Sequence, residues 1–554
     1  MQLRPKTIAE KDKILEKLSE GIGIIASIVK RTLGPGGLPI LIERVGQNLE
    51  GDPIEPMITK DGVTVASECA HEDEQIDIAI QTVKAICRKT NRLAGDGTTT
   101  AIVLGEAIFN TTLDLVKADS SLNPQIVKEA VESSVQNVIK ELEELSIPIG
   151  NDFEIIKQVA TISANGANDI GEVIKEAFQA VGSEGVVTID EGSSIETTIE
   201  IVKGFQFNRG AEGTDRFFNN QEKTKFDAEN CLVVTFDGNI THHGQLLGLF
   251  KQFDEQHRKI GKKSLPPILI IANEFSQDTL QLMLLNKAEA GLNICLVRSP
   301  NVTTVRTAIL DDLATVLGST RLGNGNHDLE SAIFKILDDG SIEGDVGMAD
   351  RVVIDRYSTT IYGGLADEET IIERIDQLKA SRKQAFSEYD RSQFNDRIAS
   401  LSRGIAKIGV GGRTELEIKE KYHRIEDALN SARAAIDEGI IPGGGITLYR
   451  LAEKLKDSED LGDQILSKAL KSPFFQIIEN IGVKPNDELV EYLVQLKNHE
   501  MTYDARNKKV VEALEAGIVD PVKVTRTALE NATSISALLS TCGGAITYLR
   551  KSHE

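Results

Sequence analysis

The chain has 554 residues and carries 62 basic against 85 acidic side chains, a formal charge of −23. That length suggests roughly three or four domains of about 150 residues each, and the acidic balance repels phosphate backbones, so nucleic acid is not an expected partner. No apolar run reaches the roughly 18 residues of a membrane span. The charged stretch Met1–Lys13 lacks the apolar core of a signal peptide, and the five scattered cysteines make no C-x-x-C pair, so the expected compartment is the cytoplasm.

Ile14, Leu18, Ile22, Ile25 and Val29 recur every three or four residues and predict a helix with one apolar face. Further helical patterns cover Glu74 to Ala94, Asp96 to about Leu115, and Gln125 to Leu145, so the N-terminal quarter reads as a helical bundle. The middle of the chain changes character. Short apolar runs at Gly185–Ile189, Cys231–Phe236, Pro267–Ala272, Asn293–Val297 and Arg351–Ile354 predict buried strands. Helical stretches such as Gln277–Glu289 and Val305–Leu317 alternate with them, which is the pattern of an α/β layer. Two charged helices are expected over Glu368 to Ala399. A long one follows at Glu415 to Asp437, then Gly443-Gly444-Gly445 and more helix to the end. The fold class is therefore multi-domain, α and α/β, with a mixed domain inserted into a helical one that holds both termini.

The chemistry-bearing motifs follow from this frame. There is no G-x-x-x-x-G-K-[ST] phosphate loop, and Gly21-x-Gly23-x-x-Ala26 sits inside a helical pattern with no strand before it, so neither usual nucleotide fingerprint is present. His242-His243 has no second ligand pair at metal-binding spacing and reads as solvated surface. Gly95-Asp96-Gly97-Thr98-Thr99-Thr100 opens a helix, where free backbone N–H groups and the helix dipole favour an anion such as phosphate. Asp96 suits the Mg²⁺ that accompanies a nucleotide; the same residues also fit a plain N-cap with a threonine-rich first turn. Thr32-Leu33-Gly34-Pro35-Gly36-Gly37 is a second glycine-rich turn and also reads as an ordinary helix stop. Ile58-Thr59-Lys60-Asp61-Gly62 adds one cation and one carboxylate on a turn that also reads as a hairpin.

Taken together, Thr32–Pro35, Ile58–Val65 and Gly95–Thr100 resemble the three N-terminal nucleotide motifs of chaperonins. Thr161–Asn165, Arg424–Leu429, Gly443–Gly445 and Gly517–Arg526 resemble the group I, GroEL-like branch, in family order. The resemblance implies an equatorial ATPase domain (1–144 and 438–554), a small α/β intermediate domain (145–203 and 405–437) and an inserted α/β apical domain (204–404). It implies ATP with Mg²⁺, and K⁺ as a further cation. Thr32, Leu33, Gly34 and Pro35 would line the nucleotide, Lys60 would meet the phosphates, Asp96 would hold Mg²⁺, and Gly97, Thr98, Thr99 and Thr100 would cradle phosphate oxygens. Gly444, Asp504, Ala505 and Asp520 would face the base and ribose. Asp427 would be the hydrolytic carboxylate, with Asp61 near the attacking water. Ile425, Leu429, Ala432 and Ile436 define the apolar face of the helix that carries Asp427, and Asp427 lies roughly 200° round from Ile425.

For clients, the resemblance points to Leu247, Phe250, Leu280, Leu284 and Leu285, with Phe217 and Phe218 nearby, as apolar side chains that hold unfolded protein. Leu280, Leu284 and Leu285 also fit an ordinary core stripe. The implied partners are identical subunits in a ring of seven, unfolded proteins, and neither membrane nor nucleic acid. Two departures stand out. The segment between Gly210 and Phe217 is two residues longer than usual and lacks the aromatic after Gly210, which leaves a co-chaperonin lid unassigned. The family's Asn-Ala-Ala reads Asp504-Ala505-Arg506 here, so different base contacts are expected. Such divergence suits a virus-encoded or otherwise specialised copy. The competing function is a chaperonin-derived scaffold without turnover, against which the intact Lys60, Asp61, Asp96 and Asp427 argue.

Overall fold

A computed structural model of the chain describes residues 6–548 apart from 44–55, 120, 184, 193, 203, 214, 221–222, 260, 262–264, 301–302, 338–341, 386, 403, 485–487, 489–491 and 494–499; for 6–12, 303–304, 388–389, 392, 396, 399, 402, 416 and 548 it describes the backbone alone. Tertiary contacts divide the chain into two compact units: 1–179 with 189–198 and 409–554, and 180–188 with 199–408.

The first unit is a helical bundle. Its helices Lys11–Val29, Glu74–Ala94, Thr98–Ala118 and Pro124–Glu144 match the expected elements closely. Local chemistry fixes their ends. Asp73 caps the second helix by accepting from Gln75 N and Ile76 N, and Gly95 ends it in the left-handed conformation. Asn123 caps the fourth ahead of Pro124, whose missing N–H costs nothing at a helix start. The helix Val522–Ser540, from the far end of the chain, packs against three of these four. Its Ala528 joins Ile25, Ala26, Ile80 and Phe109 in one core cluster, and its Leu529 joins Val131, Leu142 and Leu466 in another. Strand Lys6–Glu10 pairs antiparallel with Gly544–Tyr548, so both ends of the chain belong to this unit. The helices Phe153–Ser163 and Asn168–Val181 are additions to the expected elements, separated by the short link Ala164-Asn165-Gly166-Ala167.

The second unit is built on a six-stranded sheet in the order Gly204–Phe207, Thr359–Tyr362, Gly347–Ile354, Phe226–Ile240, Ile268–Phe275, Ile294–Arg298. The first four are antiparallel neighbours and the last three run parallel. Helices Gly244–Lys259 and Gln277–Ala290 make the two crossovers between the parallel strands. Val233, Ile270 and Leu296 are wholly buried, as parallel strands covered on both faces require.

Candidate functional site

The first unit encloses a cavity of about 630 Å³, within the range of small-molecule sites. Every residue expected at the nucleotide lines it: Thr32, Leu33, Gly34, Pro35, Lys60, Asp61, Asp96, Gly97, Thr98, Thr99, Thr100, Asp427, Gly444, Asp504, Ala505 and Asp520. They arrive from seven separate stretches of the sequence.

The floor of the cavity is the start of the helix Thr98–Ala118. Its N-cap is Gly97, at φ 80°, and no side chain caps it. The first-turn N–H groups of Thr98, Thr99 and Thr100 therefore have no partner within the helix, and they belong to residues that line the cavity. Gly97 is required twice over: its φ is left-handed, and an added Cβ would stand 2.6 Å from Val524 Cγ1. Asp96 is not the N-cap. Its Oδ1 accepts from Gly97 N at 2.5 Å, while Oδ2 accepts from Ser163 Oγ at 2.7 Å and Ser431 Oγ at 2.5 Å. Asn480 steadies the opposite turn, donating from Nδ2 to Lys30 O and Leu33 O at 2.9 Å each.

Asp61 does not sit in a hairpin turn. It follows strand Met57–Thr59 and caps the helix Gly62–Glu68, accepting from Val63 N at 3.0 Å and Thr64 N at 2.9 Å. Thr64 Oγ1 also donates to Oδ2, so both lone pairs of that oxygen are engaged, while capping takes only one of the two on Oδ1.

Asp427 comes from the helix Glu415–Glu438, which packs on Phe153–Ser163. Ile425, Leu429 and Ala432 are buried, whereas Asp427 lines the cavity. Burial pushes its carboxyl well above the ordinary aspartate value, and the negative charges of Asp96, Asp61 and Glu426 push it the same way. Ser431, one turn further along the same face, is the hydroxyl that binds Asp96. Burial also raises Asp520, to about 6, against the opposing N–H groups of Gly445 and Gly444, which donate to it. Asp504 shapes the tip of the hairpin Met501–Glu512, accepting from the backbone N of Arg506 and of Asn507 at 3.0 Å each.

Ser163, Ser431 and Asn480 were not expected. Ser431 was open to discovery, being four residues from Asp427 on one helix face. Ser163 lies within the Thr161–Asn165 motif, though its partner is set by tertiary contact, and Asn480 carries no sequence signal. Among the described residues no three His, Cys, Asp or Glu side chains gather closely enough to hold a metal by themselves. The mutual charge of Asp61, Asp96 and Asp427 nevertheless fits Mg²⁺, which takes one or two carboxylates and completes its shell with phosphate oxygens and water.

The second unit corrects part of the client expectation. Phe217 and Phe218 are core residues, 0% and 5% exposed, and Leu280 is buried as well. Ala211 and Glu212 pair with the outer edge of strand Ile294–Arg298, Glu212 N donating to Leu296 O at 2.7 Å, and Lys287 Nζ donates to Phe217 O. Phe250 and Leu284 are half-buried against the same core. Leu247 and Leu285 are 52% and 49% exposed. The reason is rotation: at about 100° per residue, Leu284 stays within roughly 40° of Leu280, and Leu285 lies roughly 140° round. Leu246, Leu249 and Phe253 likewise face inward and leave Leu247 outside.

A helical unit whose cavity joins an uncapped helix start to several carboxylates, with an α/β unit inserted in its sequence, has the parts of a chaperonin subunit. The sequence matches the model of the TCP-1/cpn60 chaperonin family over residues 25–542. It is 37% identical over 548 residues to chaperonin GroEL of Holospora obtusa, covering 97% of this chain and 94% of that one. Crystal structures of the chaperonin gp146 of bacteriophage EL, in two crystal forms grown in the presence of ATP-BeFx, superpose with TM-scores of 0.69 and 0.61 at 22% and 21% identity, over 98% of this chain and 99% of theirs. The chain belongs to the TCP-1/cpn60 chaperonin family. It is an ATP-dependent chaperonin that acts as a molecular chaperone. No helix among the described residues is long and apolar enough to cross a membrane.

Proposed function

We propose that the cavity of the first unit binds and hydrolyses Mg·ATP, and that the second unit captures unfolded proteins on exposed apolar side chains, Leu247 and Leu285 among them. The observation that carries this reading is the meeting, in one cavity, of the uncapped helix start at Thr98 with carboxylates whose charges act on Asp427. The N–H groups of Thr98, Thr99 and Thr100, with Lys60, hold phosphate oxygens. Asp96, fixed by Ser163 and Ser431, holds Mg²⁺, which when bound neutralises phosphate charge. Asp427 orients a water for in-line attack, and Asp61 lies close enough to share that task. Gly444, Asp504, Ala505 and Asp520 face the base and ribose.

The working form we infer is a cytoplasmic ring of identical subunits, seven in number, in which residues 145–203 and 405–437 act as the hinge between an equatorial domain (1–144 and 438–554) and an apical domain (204–404). Exposed apolar groups recognise an unfolded chain because burial needs no particular sequence. Phosphate release from ATP, followed with and without Mg²⁺ and with a denatured enzyme as client, tests the reading. ATP-dependent recovery of the client's activity is the expected result. A protein that neither binds nor cleaves ATP, or that cleaves it without retaining any client, would refute the corresponding half.

A further inference from the structure

The rim of the cavity carries one residue with no place in the scheme above. Arg506 is exposed and lines the cavity beside Asp504. Its guanidinium crosses to the end of the helix Phe153–Ser163, where Nη2 donates to Asn165 O at 3.2 Å and Nη1 to Gly166 O at 3.4 Å. Asn165 and Gly166 also line the cavity. We propose that Arg506 is a clasp that ties the hairpin Met501–Glu512 to this helix end over the cavity rim, and that it sets how long a nucleotide stays bound. The inference rests on the reading of the cavity as a nucleotide site.

The local backbone is arranged for this contact. The helix Phe153–Ser163 ends through Asn165 at φ 57° and Gly166 at φ 82°, and Gly166 N returns to Thr161 O at 2.7 Å. The carbonyls of Asn165 and Gly166 thus lie beyond the helix ladder, at its negative end, where a cation is favoured. One planar guanidinium meets two consecutive carbonyls, which a lysine ammonium on its flexible stem does not reproduce. On the other side, Asp504 fixes the backbone N–H of Arg506 and Asn507, so the arginine starts from a defined position. Gly166 is matched to the arginine: an added Cβ would stand 2.2 Å from Arg506 Nη2. A second tie, from Gln158 Nε2 to Leu514 O at 3.4 Å, joins the same two regions independently of Arg506. Loss of the arginine therefore loosens the rim without detaching the hairpin.

The test is the dissociation rate of a fluorescent ADP from the full-length protein, measured by stopped-flow displacement with excess ADP. Two hydrogen bonds from a charged donor predict that Arg506→Ala speeds release about tenfold or more. Arg506→Lys should recover only part of that change. Gly166→Ala should reproduce the acceleration with the arginine present, because it displaces the guanidinium, and the double variant should release no faster than the faster single one. Unchanged release in Arg506→Ala, or strictly additive effects in the double variant, would overturn the clasp. A lowered melting temperature with unchanged release would mark the contact as merely structural and also overturn it. If the wild type fails to bind the fluorescent ADP at all, the nucleotide reading falls first and the clasp with it; binding by the wild type separates the two.

Discussion

The cavity of the first unit and the apolar helices of the second, the two sites proposed to meet another molecule, are made in opposite ways. The cavity uses polar groups held in place by other polar groups: Asp96 is fixed by two serine hydroxyls and a backbone N–H, and Asp520 by the N–H groups of two glycines. Each interaction is directional, so substituting one member misplaces the rest. The second unit uses leucines and phenylalanines, whose attraction has no direction. There the same residue type serves the core or the surface according to a rotation about a helix axis. Leu280 is buried and Leu285 is half exposed, although they are five positions apart on one helix. A phosphate-binding group is thus committed by its chemistry, and an apolar one only by where the fold puts it.

Substitutions can break this contrast at either end. The largest expected effect is on stability. Phe217→Ala empties a fully buried site and should cost about 3–5 kcal/mol, seen as a lower midpoint in denaturant unfolding. Leu285→Glu and Leu247→Glu, at exposed positions, should leave that midpoint nearly unchanged while abolishing retention of an unfolded client, because a charge makes burial against an apolar chain costly. Should Leu285→Glu unfold the protein as Phe217→Ala does, the division between core and client surface drawn here would be wrong.

Next in size is hydrolysis. Asp427→Ala should slow turnover by about 10² or more, on the order of 3 kcal/mol in the barrier, with ATP binding largely kept. Asp96→Ala should weaken Mg·ATP binding as well. Steady-state phosphate release and equilibrium nucleotide titration separate the two, and wild-type turnover in Asp427→Ala would remove that residue from the mechanism.

A smaller effect is expected at the helix start. Gly97→Ala imposes a left-handed backbone on a residue with a Cβ, about 1–2 kcal/mol, and brings that Cβ 2.6 Å from Val524. Phosphate-dependent affinity should fall accordingly, measured as the ratio of ATP to adenosine binding. The least is expected of Ser431→Ala. It removes one of three donors to Asp96, about 1 kcal/mol, and should appear as a higher Mg²⁺ requirement with the fold intact. An unchanged Mg²⁺ titration would show that Ser163 and Gly97 suffice.

Much of this molecule is determined by the order of its residues alone. The alternation of helical, mixed and helical segments follows from the period of the apolar residues, and the helix limits from Asp73, Gly95, Asn123 and Pro124, because caps and breakers act within one turn of chain. The nucleotide motifs are legible for a related reason: a helix start that binds phosphate needs Gly and Thr at adjacent positions. Tertiary structure decided the rest. It alone brought Ser163 and Ser431 to Asp96 and Asn480 to the Lys30–Leu33 turn, since those partners lie 67, 335 and about 450 residues away in sequence. It gave Asp61 a helix to cap where the Asp-Gly pair suggests a hairpin, and it turned Phe217, Phe218 and Leu280 inward. A hydrogen-bond donor can be recognised from its type, but the face an apolar side chain presents is settled only when the layer that covers it has folded into place.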